Sequence, residues 1–227
     1  MNWDLSKPQS SNFKDQDVSL KDSSLAGYNI CLGICGSIAA YKGPDIIREL
    51  RSHGATVQAF VSKSALNFVT EMALEWTSSK PVVSSLSANA EHLGGDKEFD
   101  LYLFAPATYS SINKMAAGIA DTPVTLAFSA ALGQLEKSKA QIFISPCMHG
   151  NMHNSILQNS MQKLQELGIT FLKPRQEDGK NKLPEPQEIV TTIIKELKQQ
   201  LSESTSRKSP LKSTSASKQI NISANPR

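Results

Sequence analysis

The chain has 227 residues, of which 39% are apolar, and a formal net charge of +3. This length predicts one domain, or one domain with tails. Residues 28–201 hold equal numbers of basic and acidic side chains, so composition predicts no basic surface for nucleic acid.

The two ends of the chain differ in composition from its middle. Residues 1–27 are polar and lack apolar periodicity, which predicts a flexible N-terminal arm. Residues 202–227 are Ser-rich and basic, which predicts a disordered, solvated tail. A phosphorylation or partner-docking segment is the alternative for that tail. The predicted domain spans residues 28–201.

Between these ends, short apolar runs alternate with helical patterns. Nearly continuous runs are typical of strands covered on both faces, and they occur at residues 28–35, 56–62, 100–105, 141–145 and 169–173. Helices are predicted over residues 39–53, 64–78, 110–117, 123–132, 154–167 and 186–201. The alternation predicts an α/β domain with a parallel sheet between layers of helices. Ligands of such sheets bind at the carboxyl ends of the strands.

Cysteine usage and hydropathy indicate the compartment. Cys31, Cys35 and Cys147 are too few for a disulfide framework, which indicates a reducing environment. No apolar run approaches the roughly 20 residues that span a bilayer, and the polar N-terminus does not resemble a signal peptide. We therefore expect a cytoplasmic protein without a membrane partner. Cys31 and Cys35 lie in an apolar strand and are expected in the core.

The stretch "GICGSIAAYKGPDIIREL", beginning at Gly33, joins the first strand to a helical pattern. Backbone N–H groups exposed at such a junction can bind phosphate or another anion. Gly36 permits close approach of the backbone, and the Ser37 hydroxyl can cap the helix or donate to phosphate. The stretch contains neither GxGxxG nor GxxxxGK[ST], so a tight turn without a ligand explains it equally well.

Polar or soft side chains follow the other strands as well. They comprise Ser62 and Ser64 after the second strand, Thr108, Ser110 and Ser111 after the third, and "PCMHGNMH" (146–153) after the fourth. Parallel strands end at a common edge, so this clustering favours a cofactor site there.

Taken in order, these stretches resemble the flavoprotein family of FMN-dependent cysteine decarboxylases. "GICGSIAAYK" is similar to its flavin-phosphate turn, "APATYSSINKMAAGIADTPVT" to its "PASANT" segment, "SPCMHGNMH" to its "PXMNXXMW" clamp, and "KLPEPQEIV" to the start of its last helix. The resemblance covers about residues 28–200. It implies a flavodoxin-like (Rossmann-like) doubly wound fold, bound FMN, and a homo-oligomer, a trimer or a multiple of it, with sites at subunit interfaces. The implied reaction decarboxylates a cysteine-derived thiol, with 4′-phosphopantothenoylcysteine of coenzyme A biosynthesis as first candidate.

The resemblance implies roles for individual residues. For the flavin ribityl phosphate it implies Gly36, Ser37, Ser62 and Ser64, and for the flavin and substrate pocket Thr108, Ser110, Ser111 and Cys147. The family's active-site histidine lies eight residues before the aspartate that opens the "PASANT" strand, and counting back from Asp100 reaches His92. An imidazole can take a proton from a thiol. The implied catalytic set is His92 for proton transfer, with Ser110 and His149 holding the substrate; an exposed loop histidine is the alternative for His92.

This chain departs from the family pattern at three places. Ser110 replaces the asparagine of "PASANT", whereas His149 and His153 replace the asparagine and tryptophan of the clamp. A histidine keeps hydrogen-bonding capacity and can add positive charge, so a carboxylate can still be held. The stretch "PRQEDGKNKLPEP" lacks the flap cysteine that protonates the product in the family. Another donor such as His149 or His153 then substitutes, or the product stays an enethiol, or decarboxylation has been lost.

Three other interpretations stay open at the level of sequence. Cys147, His149 and His153 have ligand-like spacing, but no fourth ligand stands out and no metal is expected. A flavin prenyltransferase-like enzyme would share fold and FMN, although "GIAD" and "PEPQEI" favour a decarboxylase. A non-catalytic FMN-binding regulatory protein fits the departures and the Ser-rich tail.

Overall fold

The computed structural model describes Ser6 and residues 14–94, 97–137, 139–177 and 180–207. The chain divides into two units, Met1–Ile194 and Lys195–Arg227. The first unit contains the whole sheet and all the cavities discussed below. Within the described ranges, no helix combines the length and the apolar character needed to cross a membrane.

All five predicted strands are present and form one parallel sheet. They are β1 (Asn29–Ile34), β2 (Thr56–Val61), β3 (Leu101–Ala107), β4 (Gln141–Pro146) and β5 (Thr170–Phe171). Their order is β2-β1-β3-β4-β5, so the direction of winding reverses between β1 and β3 and opens a crevice at the carboxyl ends. This is the flavodoxin-like order, and the predicted α/β doubly wound sheet is confirmed.

Among the described residues there are six α-helices, with bounds that differ from the prediction. They are α1 (Gly43–Ser52), α2 (Glu71–Ser78), α3 (Tyr109–Ala117), α4 (Pro123–Glu136), α5 (Ser155–Glu166) and α6 (Pro186–Arg207). The start of the first helix was predicted wrongly, because Ile38–Lys42 is a 3₁₀ helix and α1 begins at Gly43. The helix predicted over residues 64–78 is interrupted, because Thr70 caps a new helix by accepting from the N–H of Ala73.

Both faces of the central strands are buried. All six residues of β1 and all seven of β3 are buried, which explains their continuous apolar runs, since a strand between two helical layers has no solvent face. Phe104 of β3 packs edge-on against Phe128 of α4, with ring centroids 5.6 Å apart. Cys31 and Cys35 lie in this core as predicted, and burial raises the pKa of both thiols.

A short antiparallel hairpin that we did not predict lies before α6. It pairs β6 (Arg175–Glu177) with β7 (Lys180–Lys182). Its sequence is polar and charged without alternation of apolar residues, so the strand pattern gives no signal there.

Part of the predicted N-terminal arm packs against the domain. Leu25 is fully buried, and the N–H groups of Lys21 and Leu25 donate to the carbonyls of Ser52 and His53 at 2.7 and 2.8 Å. The predicted boundary at residue 28 is therefore corrected to include residues 21–27. Residues 1–5 and 7–13 of the predicted arm lie outside the described residues.

The predicted tail also begins too early. Helix α6 continues to Arg207, so residues 202–207 belong to it. The remainder of the predicted tail, residues 208–227, lies outside the described residues.

Asp22 joins the N-terminal segment to the end of α1, and this contact predicts a pH dependence. Its carboxylate accepts from the N–H of Ser24 and contacts Nδ1 of His53, both at 2.8 Å. These contacts, the Ser24 N–H first, lower the pKa of Asp22 from 3.8 to about 2. A lowered carboxyl pKa stabilises the fold fully above about pH 4, and this contribution is lost as the pH falls toward 2.

Asp22→Asn should therefore lower the urea midpoint of unfolding at pH 7, and the difference from wild type should shrink between about pH 4 and 2. Asp15→Asn, in the same segment, is the control and should shift the midpoint little. A deficit of constant size across this pH range would contradict the assignment.

Candidate functional site

The carboxyl ends of β1 to β4 surround a cavity of about 500 Å³. Backbone hydrogen bonds tie the loops together there: the N–H of Cys35 donates to the carbonyl of Pro106 at 3.1 Å, and that of Cys147 to Ala107 at 2.9 Å. Small-molecule sites span roughly 300–1,000 Å³, so this cavity has the size of one. We name it the hydroxyl cavity.

Nine of the ten predicted site residues line the hydroxyl cavity. They are Gly36, Ser37, Ser62, Ser64, Thr108, Ser110, Ser111, Cys147 and His149. The tenth, His92, does not line it. Other residues also line it: Ile38, Tyr109, Lys114, Thr122, Thr125, Met148 and Met152. Of these, sequence reasoning pointed only to the two methionines.

The loop after β1 contributes Gly36 and Ser37. The Ser37 hydroxyl caps the following turn by accepting from the N–H of Ala39 at 3.3 Å. That turn is the five-residue 3₁₀ helix and not an α-helix, so the helix predicted from residue 39 does not begin directly at this loop. An anion here would meet loop amides and hydroxyls rather than the end of a long helix.

Close contact between the loops after β1 and β2 requires the glycine at position 36. A Cβ atom added to Gly36 would lie 2.6 Å from Cβ of Ser64, closer than packed carbon atoms approach. The hydroxyls of Ser62 and Ser64 are 3.2 Å apart, and the N–H of Ser62 donates to Ile34 at 3.0 Å. The pair of serines is therefore held directly beside the β1 loop.

Two α-helices begin at the hydroxyl cavity. Thr108 caps α3 by accepting from the N–H of Ser111 at 3.3 Å, and their hydroxyls are 3.0 Å apart. Thr122 and Thr125 form a capping box at the start of α4, which has Pro123 in its first turn. The positive ends of both helices therefore face the cavity. The "DTPVT" stretch contained the signal for the second helix, a threonine cap followed by proline.

The loop after β4 orients His149 and His153 differently. His149 accepts at Nδ1 from the N–H of Asn151 at 3.2 Å, so a neutral imidazole there carries its proton on Nε2 and can donate. His153 contacts the side-chain nitrogen of Asn181 through Nε2 at 2.8 Å. This contact links the loop after β4 (residues 146–153), which we name the clamp loop, to β7.

Cys147 and His153, two of the three residues with ligand-like spacing, each contact a different side chain. In the part of the chain that the structure describes, no group of three His, Cys, Asp or Glu side chains is arranged to hold a metal ion. The hydroxyl of Ser37 lies 3.5 Å from Sγ of Cys147, and His153 is engaged by Asn181.

His92 lies apart from the other predicted site residues. It belongs to a 3₁₀ helix (Glu91–Leu93) that contacts α4. Its Nδ1 is buried and has no hydrogen-bond partner among the described residues. Within one chain, His92 therefore lies outside the hydroxyl cavity. The sequence did not reveal this, because spacing along a loop does not fix where that loop lies.

A second cavity of about 430 Å³ adjoins the hydroxyl cavity. Ser37, Cys147 and His149 line both cavities. The wall of the second cavity also includes three basic side chains, those of Lys42, Arg175 and Lys182. We name it the cationic cavity. None of its basic residues was predicted as a site residue.

The sequence matches the Flavoprotein family model over residues 18–198. It is 39% identical over 182 residues to the coenzyme A biosynthesis bifunctional protein CoaBC of Thermococcus kodakarensis, which covers 78% of this chain and 44% of the relative. The Escherichia coli protein of the same name is 34% identical over 157 residues, and this match covers 66% of the present chain and 37% of the relative. The chain spans less than half the length of these curated relatives.

Solved structures share the fold. The crystal structure of the FMN-dependent cysteine decarboxylase SpaF matches with a TM-score of 0.64 and 22% identity, covering 75% of this chain and 97% of that one. A PPC decarboxylase mutant complexed with pantothenoylaminoethenethiol matches with a TM-score of 0.61 and 24% identity. This match covers 75% of the present chain and 98% of the mutant. At these identities the matches support the architecture of the chain.

Two glycine substitutions should change stability in opposite directions. Gly36→Ala places a methyl group against Ser64 and should lower the free energy of unfolding by about 1–3 kcal/mol. In Gly133→Ala, the added methyl group in α4 meets no atom within 4 Å, so the better helix former should stabilise by about 0.5–1 kcal/mol. Urea unfolding of both variants measures the contrast. A neutral Gly36→Ala would show that the two loops are not in close contact.

Proposed function

The chain belongs to the Flavoprotein family, and on that premise we propose that it binds FMN and decarboxylates a cysteine-derived thiol, with 4′-phosphopantothenoylcysteine as first candidate. The hydroxyl cavity carries this proposal, because nine predicted site residues from four separate loops meet there. The names of the curated relatives, coenzyme A biosynthesis proteins, support the choice of substrate.

The residues of the hydroxyl cavity fit FMN. Serine hydroxyls and two α-helix N-termini favour an anionic group such as the phosphate. Met148 and Met152 add polarisable apolar surface suited to an aromatic ring system. We assign Gly36, Ser37, Ser62 and Ser64 to the phosphate end, and Thr108, Ser110, Ser111 and Cys147 to the ring and substrate end.

The reaction proposed for this site is the loss of carbon dioxide from the substrate's cysteinyl carboxylate. When bound, FMN supplies two-electron redox chemistry. Ser110 Oγ and the Nε2–H of His149 donate to the carboxylate and orient it for departure. His92, from a neighbouring copy of the chain, would take the thiol proton as the carbon–sulfur group is oxidised by two electrons. The electron pair that carbon dioxide leaves behind would then be delocalised through the adjacent carbon onto the oxidised sulfur group.

The fate of the product depends on the hairpin β6–β7. Its sequence contains no cysteine, so no thiol is available there to protonate the product. We infer release of an enethiol. A saturated thiol would need both a hydride, which reduced FMN would supply, and a proton from His149 or His153.

We infer a homo-oligomer, a trimer or a multiple of it, in the cytoplasm. Large apolar side chains are exposed on the described surface, among them Met72 at 79%, Ile38 at 68% and Leu93 at 58%. Ile38 also lines both cavities and Leu93 adjoins His92. A second copy covering these residues would bring its own His92 to the cavity. All three cysteines are free thiols, as expected in a reducing compartment.

A non-catalytic FMN-binding regulatory protein is the second candidate. Two features of this chain favour it, Ser110 at the position of the family's asparagine and the hairpin without a cysteine. Both proteins would bind FMN, so turnover is the property that separates them.

Anaerobic mixing tests the enzyme. We expect the FMN-reconstituted protein to be yellow and to release carbon dioxide from 4′-phosphopantothenoylcysteine, with an enethiol mass two hydrogens below that of the saturated thiol. His149→Ala should slow carbon dioxide release in a single turnover by about tenfold or more, because the carboxylate loses a hydrogen-bond donor. Flavin absorbance, carbon dioxide and product mass are followed together.

His149→Asn is the matched control, since asparagine restores a neutral donor and should retain most of the activity. A protein that stays colourless after reconstitution would defeat the FMN assignment. Bound FMN without release of carbon dioxide would support the regulatory protein instead.

Mixed oligomers test where His92 acts. His92→Gln and His149→Ala should each lose about nine tenths of the activity or more when expressed alone. Co-expression should raise the activity to about one quarter of wild type if each site uses both residues from different copies and mixing is random. Activity per FMN in the co-purified mixture measures this. A mixture as inactive as either variant would show that His92 does not act across an interface.

A further inference from the structure

The wall of the hydroxyl cavity includes one large ring that was not predicted as a site residue. Among the described residues that line this cavity, Tyr109 is the only Phe, Tyr or Trp. It stands where the "PASANT" motif has its second alanine, so a flat ring occupies a position at which a methyl group suffices in the motif. The resemblance therefore implies no role for Tyr109.

Tyr109 is held at both ends. Its backbone forms the first residue of α3, directly after the cap at Thr108. Its phenol oxygen lies 3.3 Å from Nδ2 and 3.4 Å from Oδ1 of Asn154, which caps α5 by accepting from the N–H of Leu157 at 3.2 Å. The ring therefore runs from the start of α3 to the start of α5. A side chain fixed in this way loses little further freedom when a ligand contacts it.

The polar contacts of Tyr109 do not explain why a ring is placed at this wall. Both distances to Asn154 exceed the roughly 2.7–3.2 Å at which such hydrogen bonds are strong. The ring is only partly buried against the core of the domain, and it lines the cavity. Apolar surface at the wall of a cavity is stabilised when a ligand covers it.

The neighbours of Tyr109 suit the ring end of a flavin. Ser110 and Ser111, which follow it in α3, line the same cavity and were assigned above to the ring and substrate end. Met148 and Met152 of the clamp loop also line it, and methionine sulfur contacts aromatic rings favourably. A tyrosine ring contacts another aromatic system favourably in an offset stack or edge to face. The chemistry around Tyr109 is therefore that of a binding site for an aromatic ring.

We propose that Tyr109 stacks against the isoalloxazine ring of FMN. This inference rests on the proposed function and adds a residue that positions the cofactor. The face of an aromatic ring carries negative partial charge, which opposes a gain of negative charge on a ring stacked against it. Contact with Tyr109 should therefore favour oxidised FMN over reduced FMN.

Two variants of the FMN-reconstituted full chain test the stacking. Tyr109→Leu removes the ring but keeps apolar volume, so the Kd for FMN should rise by about tenfold in equilibrium dialysis. Tyr109→Phe keeps the ring and should keep the Kd within about threefold of wild type. The reduction potential of bound FMN should become more positive in Tyr109→Leu, because the oxidised form loses more binding energy than the reduced form.

The fluorescence of bound FMN gives a second measurement. An electron-rich phenol in contact with a flavin quenches its fluorescence, whereas a phenyl ring does not. Bound FMN should therefore be brighter in Tyr109→Phe than in wild type. Equal brightness would overturn the proposal, even if Tyr109→Leu fails to fold.

Tyr28→Leu is the matched control for both measurements. Tyr28 directly precedes β1, at the opposite edge of the sheet, and it does not line the hydroxyl cavity. This variant should leave the Kd for FMN and the brightness of bound FMN unchanged.

A tyrosine that only bridges α3 and α5 gives a different result. Tyr109→Phe would then lower the urea midpoint of unfolding and weaken FMN binding as much as Tyr109→Leu, without a gain in brightness. A chain that binds no FMN would contradict both the stacking and the proposed function. Tight FMN binding with carbon dioxide release that Tyr109→Leu leaves unchanged would contradict the stacking alone.

Discussion

Parallel strands end at a common edge, and the site of this protein depends on that constraint. Hydrogen bonds between neighbouring strands hold β1 to β4 in register, so four loops that are far apart in sequence must meet where the strands end. The contact between Gly36 and Ser64 then closes the gap between two of these loops. Hydroxyls and helix N-termini concentrate at the edge as a consequence, and they give it affinity for an anion before any ligand is considered.

The proposed chemistry uses this scaffold with altered side chains. The family pattern has asparagines where this chain has Ser110 and His149. The geometry of His149 keeps one hydrogen-bond donor available at Nε2, so the capacity to hold a carboxylate is retained in a different residue. The proton donor expected from a flap cysteine is not retained in the hairpin. The substitutions therefore affect the protonation of the product more than the binding and loss of the carboxylate.

The hairpin makes polar contacts at both cavities. Asn181 bonds His153 of the clamp loop, while Arg175 and Lys182 join the ion-pair cluster at the cationic cavity. A segment with so few apolar residues gains little from the hydrophobic effect. Its conformation depends instead on these polar contacts.

The sequence by itself determined the sheet, because strands buried on both faces must be apolar along their whole length, and it identified nine lining residues through their position after those strands. It located neither the hairpin nor the cationic cavity, since charged residues carry no periodic signal and their pairing is decided by distance in space. It also singled out His92 by its spacing from Asp100, without revealing that this side chain lies away from the cavity of its own chain. Periodicity is a local property that the chain carries with it, whereas the convergence of loops exists only after β-strand pairing and helix packing have brought them together.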